Sequence, residues 1–408
     1  MSERRAAASR IGEALVVGLT NGEVLAPVSI SPASAPELWQ WAYANKVVPQ
    51  LALALRSADT EIEPRIRACR QSLREAMTAI ARAAKASDLT VAASKGFCFE
   101  QAYPSNHYRQ FEDLDFQVPD LDGFWALHRQ LDRLDFKIDN LLLRSTATAG
   151  PWFGAALYEQ RLPDACGWKL SVDVQIAAVP IGWERSYPLQ GDYWTSLRSG
   201  PDGVPMADDG WAAVMLIAEA CENKAVPLRD ALDLFFVLRR LNGGDLDRLD
   251  DEMRAHDLHD GLARLSRRAL QAGLPVHTCE SRVANLVLDA ANGRAVGQPN
   301  RVIPRWRRPS LSRFLRVLDH AGAIPSFAKP AIARRIDFVR TLRSGEPLKF
   351  VPIAGEPCGA LGWWNIGPTH LLRTPIGCFL PTAFGEVAAQ DMAEAAHICF
   401  AIAEEAAP

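Results

Sequence analysis

Three aspartates carry the clearest signal for chemistry in this chain. Asp113 and Asp115 lie in residues 113–118 (DLDFQV), where polar and apolar residues alternate as they do in a strand. Side chains two residues apart on a strand project from the same face, so both carboxylates should point the same way. Carboxylates held this close repel each other unless a cation lies between them, and their hard oxygen atoms suit Mg²⁺.

The third carboxylate is expected from Asp173, within the strand-like run at residues 168–176 (WKLSVDVQI). If this strand neighbours the first one, the three carboxylates complete a metal clamp of the kind used in phosphoryl transfer. A short apolar run at residues 90–94 predicts a buried strand, and Lys95-Gly96 then leads into a helix ending near Tyr103-Pro104.

This order of elements resembles the uncharacterised nucleotidyltransferase family of the DNA polymerase β-like superfamily. The residues that carry the resemblance are Lys95-Gly96, Tyr103-Pro104, Arg109, Asp113-Leu114-Asp115, Asp173, Lys224, and Arg229-Asp230 with Asp233. The resemblance extends in outline over roughly residues 35 to 340. One position departs from the wider superfamily, because Gly96-Phe97 stands where a Gly-Ser pair usually holds phosphate.

The resemblance implies a role for each site residue. Asp113, Asp115 and Asp173 would be the catalytic metal ligands, with Mg²⁺ as the cofactor and an NTP, in first place ATP, as co-substrate. The nucleotide would be held by Lys95, Gly96, Arg109, Lys224 and Asp230. Asp173 would also help to deprotonate the acceptor. Arg229 and Asp233 are four residues apart and could equally form a salt bridge on one helix face.

The resemblance and the residue patterns together predict an α+β protein with a small mixed sheet. N-terminal helices and a larger C-terminal helical region would flank this nucleotidyltransferase core. The expected units are a helical lead-in (1–87), the α/β core (88–205), a helical domain (206–344) and a C-terminal extension (345–408). Helices are expected over 63–86, from Asp120 to Leu134, over 211–222, after Pro227, and over 245–257, 258–272, 279–292, 310–321, 326–343 and 386–405.

Composition narrows the choice of partners. The 408 residues include 45 Lys and Arg against 48 Asp and Glu, a net charge of −3, which does not favour nucleic acid as a bulk partner. The eight Cys show no metal-ligand spacing, and no apolar run reaches the roughly twenty residues of a membrane span. A reduced, cytoplasmic protein is therefore expected.

The remaining histidines, a basic run and two tryptophans have plain structural interpretations. His107, and the pair His256 and His259, lack the partners of a zinc site. The basic run at 305–309 is more typical of a solvated turn. Trp363 and Trp364 would either line an acceptor pocket or seal the C-terminal extension against the core.

Three functions stay open at this point. The first is a Mg²⁺-dependent transfer of a nucleoside monophosphate, in first place AMP, to a small molecule such as a natural-product intermediate, a peptide or a protein. The second is a binding protein that keeps the fold without turnover, suggested by Gly96-Phe97. The third is a toxin-neutralising enzyme that nucleotidylates a partner protein.

Overall fold

The structure is a computed structural model. It describes residues 3–20, 35–55, 62–104, 109–110, 113–144, 153–161, 169–176, 178–181, 185–189, 191–222, 225–293, 348–353, 362–366 and 369–382. The helices predicted over 310–321, 326–343 and 386–405, the basic run at 305–309, His107 and Lys224 lie outside these residues.

Helices make up the N-terminal part of the described chain and most of residues 209–291. They are α1 (Glu3–Thr20), α2 (Ala35–Ala44), α3 (Val48–Leu55), α4 (Ile62–Ala86), α5 (Gly96–Glu100), α6 (Leu121–Arg133), α7 (Gly191–Thr195), α8 (Asp209–Glu222), α9 (Leu228–Leu238), α10 (Gly243–His256), α11 (His259–Gln271) and α12 (Ser281–Ala291).

Strands occupy the middle of the chain and return near its C-terminal end. They are β1 (Ala92–Ala93), β2 (Asp113–Val118), β3 (Lys137–Arg144), β4 (Phe153–Arg161), β5 (Lys169–Ile176), β6 (Ala178–Ile181), β7 (Arg185–Pro188), β8 (Arg198–Ser199), β9 (Pro205–Met206), β10 (Leu348–Ile353), β11 (Gly362–Ile366), β12 (Thr369–Thr374) and β13 (Gly377–Thr382).

One mixed sheet holds eleven of these strands, in the order β11-β12-β13-β10-β3-β4-β5-β2-β1-β9-β8. The pairs β2–β5 and β1–β9 are parallel, and the remaining neighbours are antiparallel. Strands β6 and β7 form a separate antiparallel pair. The predicted α+β class with a mixed sheet is confirmed, and β10–β13 extend that sheet beyond β3.

Local sequence explains the elements that surround the site. Asp120 caps α6, since its side chain accepts a hydrogen bond from the Gly123 N–H at 2.7 Å. In β2, Leu114, Phe116 and Val118 are buried and alternate with the polar residues, as the period of two requires. The strand therefore presents its aspartates on the face opposite this apolar one.

Two hydrophobic clusters hold the described parts of the chain together. The larger cluster joins the sheet to residues of α4, α6, α8 and α10–α12. The smaller one packs α1–α3 against α9 and α11, with Tyr103 among its members. Burial of apolar side chains thus packs α8 into one core with the sheet, and α9 contributes side chains to both clusters. The four unit boundaries given above stay a prediction.

Candidate active site

The three predicted carboxylates lie on two neighbouring parallel strands. In the register of β2 and β5, Asp115 is paired with Asp173, and Asp113 is paired with Ser171. Paired residues on adjacent strands project from the same face, and so do residues two apart on one strand. Asp113, Asp115 and Asp173 therefore share one face of the sheet, although Asp173 is almost sixty residues further along the chain.

Lys95 places its ammonium group against two of these carboxylates. Its Nζ lies 2.9 Å from Asp115 Oδ1 and 3.9 Å from Asp173 Oδ2. The Asp115 side chain is 5% exposed and that of Asp173 is 26% exposed, so solvent reaches Asp173 more readily than Asp115. The ammonium is the cation that the close carboxylates require.

The backbone of Lys95 is strained. Its φ of 43° and ψ of −114° fall where residues with a Cβ are rarely found, and α5 begins at the next residue. Such a conformation costs about 1–3 kcal/mol and persists only where the surrounding structure imposes it. The buried residues of α5, Gly96 among them, hold this turn in place and direct Lys95 toward the aspartates.

Burial and charge crowding perturb the acidic groups. Burial raises the pKa of Asp115 to about 8, with the charges of Asp113 and Asp173 adding to the effect and Lys95 opposing it. Burial also raises the pKa of Asp173, while Lys95 and a hydrogen bond from Gln175 oppose that rise. Carboxyl groups whose pKa values are shifted by burial and by a shared charged partner are typical of functional sites.

The donor set suits a hard divalent cation. Within the described ranges, no three acidic, His or Cys side chains are already drawn together closely enough to hold a metal ion. Instead, the Lys95 ammonium takes the place of a cation between Asp115 and Asp173. The three aspartates offer only hard oxygen donors, which are the ligands that Mg²⁺ prefers, so the chemistry of these residues fits such a metal.

Arg109 forms a salt bridge with a carboxylate outside this trio, that of Asp233. Its Nη2 lies 2.8 Å from Asp233 Oδ2, and its Nε lies 2.9 Å from Asp233 Oδ1. The Tyr103 hydroxyl donates to the same Asp233 Oδ1 at 2.8 Å. The guanidinium also stacks 5.2 Å from the centre of the Phe99 ring. These contacts of Arg109 join the segment before β2 to α9.

The chain matches the model of one known protein family. A family model described as an uncharacterised nucleotidyltransferase matches residues 31–269, more than half of the chain. The chain belongs to this uncharacterised nucleotidyltransferase family. No curated protein matches it. The matched range contains the three aspartates, Lys95 and Arg109, and it ends before β10.

Membership of the nucleotidyltransferase family supports a generic nucleotidyl transfer, with a nucleotide as a substrate. The resemblance read from the sequence is therefore confirmed. None of the helices in the described ranges has both the length and the apolar character needed to cross a membrane.

In this member of the family, Asp230 is buried and pairs with its neighbour Arg229. Arg229 Nη2 lies 2.9 Å from Asp230 Oδ1, while Arg229 Nε lies 4.0 Å from Asp233 Oδ2. The predicted pairing of Arg229 with Asp233 is therefore present but longer than the contact with Asp230. Burial raises the pKa of Asp230, and Arg229 opposes that rise. Lys224 lies outside the described residues, so its role in nucleotide binding stays a prediction.

Glu219 is a carboxylate beside Lys95 that the sequence pattern did not indicate. It lies in α8, and its electrostatic neighbours are Lys95, Arg229, Arg109 and Lys46. Burial raises its pKa, but these cations outweigh burial and lower the pKa overall. The available signal was a single carboxylate inside the apolar run AAVMLIAEA of α8, since an isolated buried charge needs a partner.

Proposed function

We propose that the protein is a Mg²⁺-dependent nucleotidyltransferase that moves a nucleoside monophosphate, in first place AMP, from an NTP to an acceptor hydroxyl or similar group. The observation that supports this most directly is the shared face of Asp113, Asp115 and Asp173, with Lys95 Nζ set 2.9 Å from Asp115. Family membership supports the class of reaction.

Asp113, Asp115 and Asp173 are the residues proposed to hold the metal. Bound Mg²⁺ would neutralise phosphate charge and make pyrophosphate a better leaving group. Asp173 is proposed to take the acceptor proton, because its raised pKa makes it a stronger base than an exposed aspartate. The acceptor oxygen then forms a bond to the α-phosphorus, and the bond from that phosphorus to the pyrophosphate oxygen breaks.

Lys95 is proposed to balance charge in two ways. In the free protein its ammonium lies beside the Asp115 and Asp173 side chains and opposes the rise of their pKa. With nucleotide present, the same flexible ammonium would turn toward phosphate oxygens, which attract it as a point charge. Gly96, Lys224 and Asp230 complete the proposed nucleotide-binding set. Since Arg109 pairs with Asp233 at 2.8 Å, we propose that it acts by holding α9 beside the site.

A direct assay tests this function. Pyrophosphate release is measured with each of the four NTPs, Mg²⁺ and a panel of small-molecule, peptide and protein acceptors. We expect Asp113→Asn to lower the rate at least about 100-fold, because it removes charge stabilisation at the reacting phosphate. Turnover that is unchanged in this variant would remove the aspartates from the mechanism.

A second candidate is a nucleotide-binding protein without turnover. Phe97 supports it, because this residue is buried in the core at the position where the superfamily usually carries a phosphate-binding Ser. Calorimetry with NTP and Mg²⁺ separates the two candidates. Binding without pyrophosphate release across the whole acceptor panel would favour the second candidate over the first.

A further inference from the structure

Two buried glutamines follow Asp115 and Asp173 on the same two strands, each two residues further along the chain. Gln117 and Gln175 occupy paired positions on β2 and β5, one step further along the face that carries the aspartates. Their exposed fractions are 0% and 1%. Burying an amide costs free energy unless it is hydrogen-bonded, so two buried amides on this face need a structural reason.

The amides form a directed chain of hydrogen bonds that ends on Asp173. Gln117 Nε2 donates to Gln175 Oε1 at 2.6 Å, and Gln175 Nε2 donates to Asp173 Oδ2 at 3.2 Å. An amide presents donors on one side and an acceptor on the other. Because Gln117 engages the carbonyl oxygen of Gln175, the N–H side of Gln175 is the one that faces Asp173.

The oxygen that receives this bond also faces the site. Asp173 Oδ2 is the atom that lies 3.9 Å from Lys95 Nζ. An aspartate carboxylate that is 26% exposed can rotate toward solvent unless a neighbour fixes it. The hydrogen bond from Gln175 opposes that rotation and keeps Oδ2 directed to the space shared with Asp115.

We propose that Gln175 is a positioning residue for nucleotidyl transfer, with its amide N–H holding the Asp173 carboxylate in place and Gln117 fixing the orientation of that amide. This inference rests on the proposed function, since it gives Asp173 a metal and an acceptor to serve. Gln117 and Gln175 are not among the proposed metal ligands or nucleotide-binding residues, and they would act only through Asp173.

The test measures Mn²⁺ affinity by calorimetry on the full-length protein without nucleotide. Gln175→Met keeps the length of the side chain and removes the amide. We expect it to weaken Mn²⁺ binding by about 10-fold, in the range found for residues that orient metal ligands. Gln117→Met should weaken binding less. The double variant should match Gln175→Met, because both residues act along one chain of hydrogen bonds.

Two further variants make the result interpretable. Asp173→Asn gives the effect of losing the ligand itself. Gln110→Met removes another buried amide, one whose Oε1 accepts from the Val48 N–H at 3.1 Å, and it should leave Mn²⁺ affinity unchanged. Circular dichroism confirms that each variant is folded, and Gln117→Met provides a second reading if Gln175→Met is not.

The outcomes separate the inference from the proposed function. If Asp173→Asn abolishes Mn²⁺ binding while Gln175→Met and Gln117→Met bind as the wild type does, the positioning role is overturned and the metal site stands. If the wild type binds no Mn²⁺, or Asp173→Asn binds it normally, both proposals fail. A graded loss from Gln117→Met to Gln175→Met to Asp173→Asn, with Gln110→Met unchanged, supports the inference.

Discussion

Arg109 and Asp233 form a buried ion pair that ties the segment before β2 to helix α9. Nη2 of the arginine lies 2.8 Å from Oδ2 of the aspartate, and their side chains are 5% and 0% exposed. Burial lowers the pKa of Arg109, but Asp233 outweighs that effect and raises the pKa well above its ordinary value. Arg109 therefore stays charged, and the cost of burying its charge is offset while Asp233 is present.

Removing one partner should reveal that cost. We expect Asp233→Asn to lower the free energy of unfolding by about 3–5 kcal/mol, because it leaves the Arg109 charge buried without a carboxylate. Urea denaturation followed by fluorescence measures the change. Asp247→Asn is the control, since it breaks the exposed pair with Arg282 and should change stability little. An Asp233→Asn protein as stable as the wild type would show that Arg109 is satisfied in another way.

The position of Lys95 predicts a response to divalent cations. In Lys95→Met, Asp115, Asp173 and Glu219 lose their shared positive neighbour. We expect this variant to be less stable than the wild type without metal. Mg²⁺ should raise its Tm by several degrees more than it raises that of the wild type, since a ligand that binds the folded state stabilises it.

Thermal unfolding with increasing Mg²⁺ at pH 8 provides the measurement. Lys137→Met is the matched control, because Lys137 pairs with Asp132 at an exposed position away from the site. Equal Tm gains in the Lys95 variant and in the wild type would mean that the ammonium and the metal do not share the carboxylates.

Asp115 predicts how stability depends on pH. Burial, with Asp113 and Asp173, raises its pKa from 3.8 to about 8, so the folded state holds a proton that the unfolded chain has already released in this range. The folded state then binds more protons, and the free energy of unfolding falls as pH rises from about 4 to 8. Lys95 stays charged throughout this window, because its pKa lies well above 10.5, and it adds no slope of its own.

We therefore expect the stability of the wild type relative to Asp115→Asn to decrease steadily between pH 4 and 8. Urea denaturation of both proteins at several pH values gives this difference. A difference that is flat with pH, or that grows as pH rises, would show that Asp115 is ionised in the folded protein at neutral pH.

The sequence was most informative where the chemistry depends on local pattern. The alternation in residues 113–118 and 169–176 predicted β2 and β5, and a period of two placed Asp113 and Asp115 on one face. The run at residues 168–176 pointed to Asp173 as the third carboxylate, but the pairing of its strand with β2 was only a condition of that prediction. Strand pairing over such a separation leaves no local signal in the sequence.

The partners of the charged side chains were harder to predict, since they depend on packing between distant elements. Arg109 was expected at the phosphates and pairs with Asp233, which lies 124 residues away. Lys95 contacts the carboxylates because a strained turn directs it there, and φ cannot be read from a Lys-Gly dipeptide. Gln117 and Gln175 have no distinguishing feature in the sequence, and only the register of β2 and β5 shows that they are neighbours.

The C-terminal strands lead to a last prediction, because they continue the sheet that carries the site. In β10, Leu348 and Phe350 are paired with Leu143 and Leu141 of β3, and the exposed fraction of Phe350 is 0%. Truncating such a side chain leaves a cavity as well as losing apolar burial, so Phe350→Ala should cost about 3–5 kcal/mol of unfolding free energy. Leu288→Ala is the control, because this leucine is 40% exposed on α12 and should change stability far less. If urea denaturation gave the two variants equal stability, β10 would be peripheral to the fold; a large difference would make it part of the core that supports β4, β5 and β2.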